Sequence, residues 1–260
     1  MQKTVMCVFA CMLSSFLLGS IPWGLIISRI FYRTDIRQLG SGNIGATNAA
    51  RTLGAVGGLA VLVLDCIKGM AAGGISTVLA AMAAINTEAM DSAASPPALD
   101  TLTTLTTHES AGTTAIFGIV LDSSLGAAAL NVHIFGLIVG LGVISCICGH
   151  VFSPWLGFKG GKGIAVAAGC LFFVFGPLGF TVLVTIFAIG AVSTRYVSVG
   201  SIGAAVSAPF IAWWVSQSEV VFTALICCAA SLVIWAHRKN IARLRAGNEN
   251  RFGIKKKEAA

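Results

Sequence analysis

Charge is what this 260-residue sequence has least of: 10% of its residues are Asp, Glu, Lys or Arg, against 56% hydrophobic. Soluble domains ordinarily carry about a quarter charged residues. Too little charge is present to cover a water-facing surface, so the chain belongs in lipid, where a helix needs ~20 apolar residues to cross. No C-x-x-C pair occurs among the eight cysteines, which excludes zinc ribbons and thioredoxin-like chemistry. Cys7, Cys11, Cys66, Cys146, Cys148, Cys170, Cys227 and Cys228 mostly sit in apolar stretches and read as small packing residues. Residues 86–132 hold no Lys or Arg, yet carry five of the ten acids: Glu88, Asp91, Asp100, Glu109 and Asp122.

The formal charge of +7 is concentrated rather than spread. Eight of the 17 basic residues lie between Arg238 and Lys257, and Arg29, Arg33, Arg37 and Arg51 bracket one early loop. Clusters of this kind beside apolar segments are topology signals of a membrane protein and argue against nucleic acid as a partner. Val5–Ile30 reads as one retained helix rather than a cleaved signal, since its apolar run continues past any plausible cleavage point. Gly54–Ile85 is long for one straight crossing and predicts a partial or tilted helix leading into a full one. Further spans are expected at His133–Gly149, Ile164–Phe175, Leu178–Ser193, Val197–Val215 and Val220–Trp235, with Phe175-Gly176-Pro177 as a turn.

The predicted fold is an all-α polytopic membrane protein of about seven transmembrane helices, with the N-terminus periplasmic or extracellular and the C-terminus cytoplasmic. Short stretches such as Ile164–Phe175 would lower the count to five or six. The chain reads as a single membrane-embedded domain, 1–260, with an outward-facing insert at about 86–132. Within the insert, Ala111–Leu130 is mildly apolar and suits the membrane surface.

This parity places three polar segments on one face. The first, Gly40–Asn48 followed by Arg51, formally satisfies G-x-G-x-x-G, but a membrane helix precedes it where a dinucleotide fold needs a strand. Its bare backbone N–H groups can still converge on an anion, and the Arg51 fork suits phosphate. The second, Gly157–Gly163, resembles a phosphate loop but has Gly163 where Ser or Thr would bind magnesium. It opens a helix whose N-terminus favours a negative ligand, with Lys162 supplying charge. In the third, His237, Asn240 and Arg243 recur at i, i+3, i+6 along one side of a helix, with Gly247 and Glu249 beyond. Asp65 and Lys68 are spaced to pair with each other, and His150 is placed to cap or brace the second loop. His108 and His133 look incidental.

Together these segments resemble the acyl-phosphate-dependent glycerol-3-phosphate acyltransferase family known as PlsY. The resemblance rests on GSGNIGATNAAR (Gly40–Arg51), GHVFSPWLGFKGGKG (Gly149–Gly163) and HRKNIARLRAGNE (His237–Glu249), with echoes at Gly19–Gly24, Leu64–Gly69 and Arg195–Ile202. It implies transfer of a fatty acyl group from acyl phosphate to the 1-hydroxyl of sn-glycerol 3-phosphate, giving lysophosphatidic acid and inorganic phosphate. Carried onto matching positions, it makes Ser41, Arg51, Lys162, His237 and Asn240 the catalytic residues that hold glycerol 3-phosphate. Gly42, Asn43, Thr47, Asn48, Gly160, Gly161, Gly163 and Arg243 are the further substrate-binding expectations, the backbone N–H groups around Thr47 and Gly160–Gly163 serving acyl phosphate. No metal or cofactor is implied. The implied setting is the bacterial inner membrane, with lipid as partner and a monomer as the expected state. The insert and the placement of Pro154, one position later than usual, are the two departures. No histidine has Asp five places on and no G-x-S-x-G elbow occurs, so the commoner acyltransferase and hydrolase machineries are missing. The rival reading is a transporter or exchanger of phosphorylated metabolites, which predicts cations near the bilayer midplane.

Overall fold

The computed structural model describes residues 2–84, 113–116, 119–122, 131–216 and 219–251. Two helices, α1 (Gln2–Ser20) and α2 (Trp23–Tyr32), make the first apolar segment. Pro22 lacks an N–H to continue the ladder, so the expected single helix breaks there. A single 3-10 turn at Ile36–Gln38 and the short α3 (Ala46–Thr52) follow. Then comes α4 (Gly54–Ala84), one unbroken helix of 31 residues rather than the expected partial helix leading into a full one. At the usual rise it is roughly 46 Å long, more than a hydrocarbon core needs, so it extends beyond the core or tilts. Inside it are glycines but no proline, and packing keeps them helical: Gly58 lies against Ala50 of α3, and Gly69 and Gly73 lie against the backbone at Val166 and Cys170.

Of the insert, the described part is a two-stranded antiparallel hairpin, β1 (Thr113–Ile116) and β2 (Ile119–Asp122). This departs from the all-α expectation. The remainder of the insert, including the rest of Ala111–Leu130 and His108, lies outside the described residues.

Four more long helices complete the bundle: α5 (Val132–Val151), α6 (Ile164–Thr194), α7 (Val197–Val215) and α8 (Val220–Ala236), then the basic α9 (Arg238–Arg245) at a bend of 55°. Helix α6 is continuous in name only. Gly176 adopts φ 65°, ψ 177°, outside helical geometry, and Pro177 follows it. The two arms fold back on each other, since the Phe172 and Phe180 rings meet edge-on at 5.3 Å and Ile164, Ala165 and Phe187 border one cavity. Among the described residues, five segments are long and apolar enough to cross a membrane, six with the bent α8–α9 pair. The expected seven is not reached because both arms of α6 fall in one segment.

Without a hydrophobic drive between helices in lipid, association relies on close backbone packing and polar contacts. A Cβ on Gly19 would come within 2.0 Å of the Cys146 carbonyl oxygen, so α1 and α5 touch through bare backbone. Ser15 and Ser76 hydroxyls hydrogen bond at 3.2 Å between α1 and α4, and the Cys11 thiol donates to Ile138 O at 3.4 Å. These contacts fix chain directions: α1 and α5 run the same way and α4 opposite. As a result the three polar segments emerge at one end of the bundle.

Candidate active site

The first polar segment is organised by one buried side chain. The Asn48 carboxamide accepts from Ser41 N at 2.9 Å and donates to Leu39 O at 3.0 Å and Asn43 O at 2.8 Å. Asn48 was expected to hold substrate; its amide is instead spent on the loop backbone, and this corrects the expectation. Gly40 is glycine for the same reason: at φ 57° its Cβ would sit 2.4 Å from Asn48 Oδ1. Asn43 Oδ1 accepts from Gly45 N at 2.9 Å, closing a turn into α3. The Ser41 and Thr47 hydroxyls and the Asn43 amide nitrogen carry no hydrogen bond among the described residues, and all three residues face one cavity. Arg29 and Arg37 close on Asp35 at 3.0 and 2.6 Å, so Arg51 is the arginine of this loop that borders the cavity. The Arg51 guanidinium also reaches Asn250 O at 3.3 Å, tying the tail to the loop.

The second segment folds against the end of α5. Gly160 N donates to Val151 O and Gly161 N to His150 O, each at 3.0 Å. Those two N–H groups are therefore not available to an acyl phosphate, which corrects that expectation. Gly161 must be glycine because a Cβ there would lie 2.0 Å from His150 Nε2. His150 thus braces the loop, as its position suggested. The next two amides, Lys162 and Gly163, have no partner among the described residues and lead into the N-terminus of α6, where backbone N–H groups favour an anion. The Lys162 ammonium has no counter-ion within salt-bridge distance among the described residues. Burial, with Arg243 and Arg51 adding and Glu249 opposing, pushes it down to about 8.

Behind this loop lies a buried charge network. Lys68 Nζ is 2.8 Å from Asp65 Oδ1, donates to Ile21 O at 2.6 Å and lies 3.1 Å from His150 Nδ1. The expected Asp65–Lys68 pairing is present, and it also ties α4 to the α1–α2 break and to α5.

The third segment supplies the far wall. His237, at the bend between α8 and α9, donates Nδ1–H to Val233 O at 2.8 Å, which leaves Nε2 as an acceptor. Burial chiefly, and the Lys162 charge, pull its pKa down to about 4. The ring is neutral at physiological pH. Asn240 donates to Glu249 Oε1 at 2.6 Å, and its Oδ1 is buried without a partner. Glu249 also accepts from Ser198 Oγ at 3.0 Å and from Arg243 Nε at 2.7 Å. Burial raises the Glu249 pKa, but the hydrogen bonds from Arg243, Asn240 and Ser198 outweigh it and hold the carboxyl below its usual range.

Ser41, Asn43, Thr47, Asn48, Arg51, Lys162, Gly163, His237, Asn240 and Arg243 all line one cavity of about 130 Å³. Gly42, Gly160 and Gly161 do not; they line an adjoining cavity of about 340 Å³ that shares Ser41, Asn43, Lys162, Asn240 and Arg243 with the first. Where the polar cavity meets Leu62, Ile164, Ala165 and Phe187 it continues into an apolar one of about 290 Å³, running between α6, α7 and α8. Arg51, Lys162 and Arg243 face Glu249 as the one acid here not already matched to a lysine, a surplus of positive charge suited to phosphate. Among the described residues no cluster of metal-ligating side chains occurs.

The sequence model of the family described as glycerol-3-phosphate acyltransferase matches residues 9–96 and 103–247. The chain belongs to the glycerol-3-phosphate acyltransferase family. Among its relatives, a glycerol-3-phosphate acyltransferase of Rhodopseudomonas palustris (strain HaA2) is 33% identical over 95% of this chain and 96% of its own length. One from Listeria monocytogenes serovar 1/2a is 32% identical over 91% and 92%. The fold is similar to crystal structures of PlsY (YgiH), an integral membrane glycerol 3-phosphate acyltransferase. Its glycerol 3-phosphate form superposes with a TM-score of 0.68 at 28% identity, covering 95% of this chain and 96% of that one. Its lysophosphatidic acid form gives 0.66 at 27% identity.

For this glycerol-3-phosphate acyltransferase family member, sequence reasoning gave no role to four residues that now stand at the cavity. Glu249 links α7, α9 and the tail, and its place two residues after Gly247 was noted without a role. Ser198, its partner on α7, left no signal beyond lying in the Arg195–Ile202 echo. Asp65 and His150 were read as structural, and both border the cavity.

Proposed function

We propose that the chain transfers a fatty acyl group from acyl phosphate to the 1-hydroxyl of sn-glycerol 3-phosphate, releasing lysophosphatidic acid and inorganic phosphate. One observation carries the reading: an electropositive polar cavity built from three separate segments opens directly into an apolar one. A ligand with an anionic head and a long apolar tail fits that junction, and a second small anion fits the polar side. In this reading Arg51, Lys162 and Asn240 hold glycerol 3-phosphate, with Ser41 beside them. The amides at Thr47, Lys162 and Gly163 receive the acyl phosphate, whose chain lies in the apolar cavity.

Acyl phosphate is a mixed anhydride with a good leaving group, so little base strength is required. The larger task is holding two anions against their repulsion, and pre-oriented cations and N–H donors perform it. The hydroxyl oxygen attacks the carbonyl carbon directly, the carbon–oxygen bond to phosphate breaks, and phosphate leaves with the electron pair. The hydroxyl proton passes to a phosphate oxygen or to His237 Nε2, the free acceptor in the cavity. A stable acyl adduct on Ser41, seen by intact-mass analysis after incubation with acyl phosphate alone, would refute direct attack.

Counting the arms of α6 separately gives seven crossings, with the N-terminus outside and the cavity facing the cytoplasm of a bacterial inner membrane; a single chain holds the whole site. The cavity cations Arg51, Lys162 and Arg243 lie at loops and helix ends, which favours an enzyme over an exchanger with midplane charges. The deciding experiment offers detergent-purified protein glycerol 3-phosphate with either acyl phosphate or acyl-CoA. Lysophosphatidic acid is expected from acyl phosphate only, and equal turnover with acyl-CoA would overturn the donor assignment.

A further inference from the structure

The two buried histidines of the cavity are held in opposite tautomers. His237 gives its Nδ1–H to Val233 O, so its Nε2 can only accept. His150 Nδ1 faces the Lys68 ammonium at 3.1 Å and must accept from it. The ammonium's three N–H groups match three acceptors: His150 Nδ1, Ile21 O and the Asp65 carboxylate. The proton of a neutral His150 ring is thereby placed on Nε2. His150 is 4% exposed, its Nε2 has no protein partner among the described residues, and its ring borders the polar cavity.

Position decides what such a donor serves. Leu62 lies one helical turn before Asp65 on α4 and, with Ile164 and Ala165, marks the mouth of the apolar cavity. Asp65, Lys68 and His150 therefore stand beside the junction where the head of an apolar chain enters, whereas Glu249, Arg243 and Asn240 lie on the α9 side. A donor backed by a buried cation is aimed at the place where an acyl carbonyl would gain negative charge.

We propose that His150 is a further catalytic residue, presenting Nε2–H to the carbonyl oxygen of the acyl donor. Lys68 is the positioning residue that fixes its tautomer, and Asp65 balances the Lys68 charge. His150 donates a hydrogen bond and transfers no proton; the attacking hydroxyl's proton leaves towards phosphate or His237, so the step balances as written above. The inference rests on the acyl-transfer reading.

The test uses the geometry of amide side chains. In His150→Gln the amide reaches the place of Nε2 and restores a donor at the cavity. In His150→Asn it reaches only the place of Nδ1, keeping a partner for Lys68 and losing the donor. Removing one such donor costs about 100-fold or more in kcat. The expected order is therefore wild type, then Gln within about tenfold, then Asn about 100-fold down in kcat with KM for glycerol 3-phosphate unchanged. A mere brace against Lys68 gives the reverse order, Asn above Gln, and overturns the proposal; so do two variants that both match wild type. Nitrogen-15 histidine spectra of the wild type provide a check independent of variant folding. Nε2 protonated and Nδ1 bare are expected at His150, and a protonated Nδ1 overturns the assignment. Should the wild type use another donor and not acyl phosphate, the donor reading fails, while the variant order is still read with the donor it uses.

Discussion

Lys162 has a sharp pH signature. Burial, with Arg243 and Arg51 nearby, lowers its ammonium to about 8 from the ordinary 10.5. The charged form, which grips phosphate, is present below that value in the free protein and is lost as pH rises through it. A bound phosphate dianion stabilises the ammonium. A charge-assisted hydrogen bond of about 2 kcal/mol moves the bound-state pKa up by about 1.5 units. KM for glycerol 3-phosphate should then rise about 30-fold between pH ~8 and ~9.5 and level off above. The substrate is already a dianion there, since phosphate monoesters lose their second proton near pH ~6. His237, at about 4, is silent in this window. The assay is initial-rate phosphate release from pH 7 to about 10, corrected for the rate without protein, on wild type and Lys162→Arg. A guanidinium stays charged throughout, so the variant should be slower overall but flat in KM. A flat wild-type profile, or a variant that keeps the break, would refute the reasoning.

Three further outcomes follow from individual contacts. Asn48→Ala strips partners from Ser41 N and two carbonyls, at about 1–3 kcal/mol for each buried group left unpaired; kcat/KM should fall at least tenfold while the helical circular dichroism is kept, and wild-type kinetics would contradict the clamp. Gly161→Ala puts a methyl 2.0 Å from His150 Nε2, so the variant should melt lower by an overpacking cost of about 1–3 kcal/mol and lose activity, whereas Gly157→Ala, whose Cβ meets nothing within 4 Å, should suffer only its φ of 60°. Ala205→Trp fills the apolar cavity between α6, α7 and α8; kcat/KM should fall for long-chain acyl phosphates and hold for short ones, and a uniform loss would remove the cavity from chain binding.

Much of this arrangement was legible from residue order alone, for reasons that differ by element. Phe175-Gly176-Pro177 carries both a residue free to adopt φ 65° and one without an N–H, so the reversal inside α6 could be read directly. Convergence of the three polar segments followed from the parity of apolar runs and the position of basic residues. The supposed break in α4 was an inference from length alone, and nothing in Gly54–Ala84 stops a helix whose glycines are packed against α3 and α6. Asn48 and Asn240 are the same residue type in similar motifs, yet one is consumed by its own loop and the other keeps a bare Oδ1. Sequence cannot distinguish them because the difference lies in which backbone groups the fold brings near. Gly160 and Gly161 show the same ambiguity: small residues beside a lysine suggest an anion cradle, but their N–H groups serve α5. Glu249 meets Ser198 across 51 positions of chain, a pairing no local pattern announces.

The most direct measurement concerns the shared face of the three segments. Single cysteines at the exposed positions Gln38, Lys159 and Arg245, and a fourth at His133 near the opposite end of the bundle, would be exposed to a membrane-impermeant thiol reagent. Sealed right-side-out and inverted vesicles would be compared, with the parent protein as background. The account predicts that the first three label only in inverted vesicles and His133→Cys only in right-side-out ones. Labelling of Gln38, Lys159 and Arg245 from different sides would contradict a common site, and the acyl-transfer account with it.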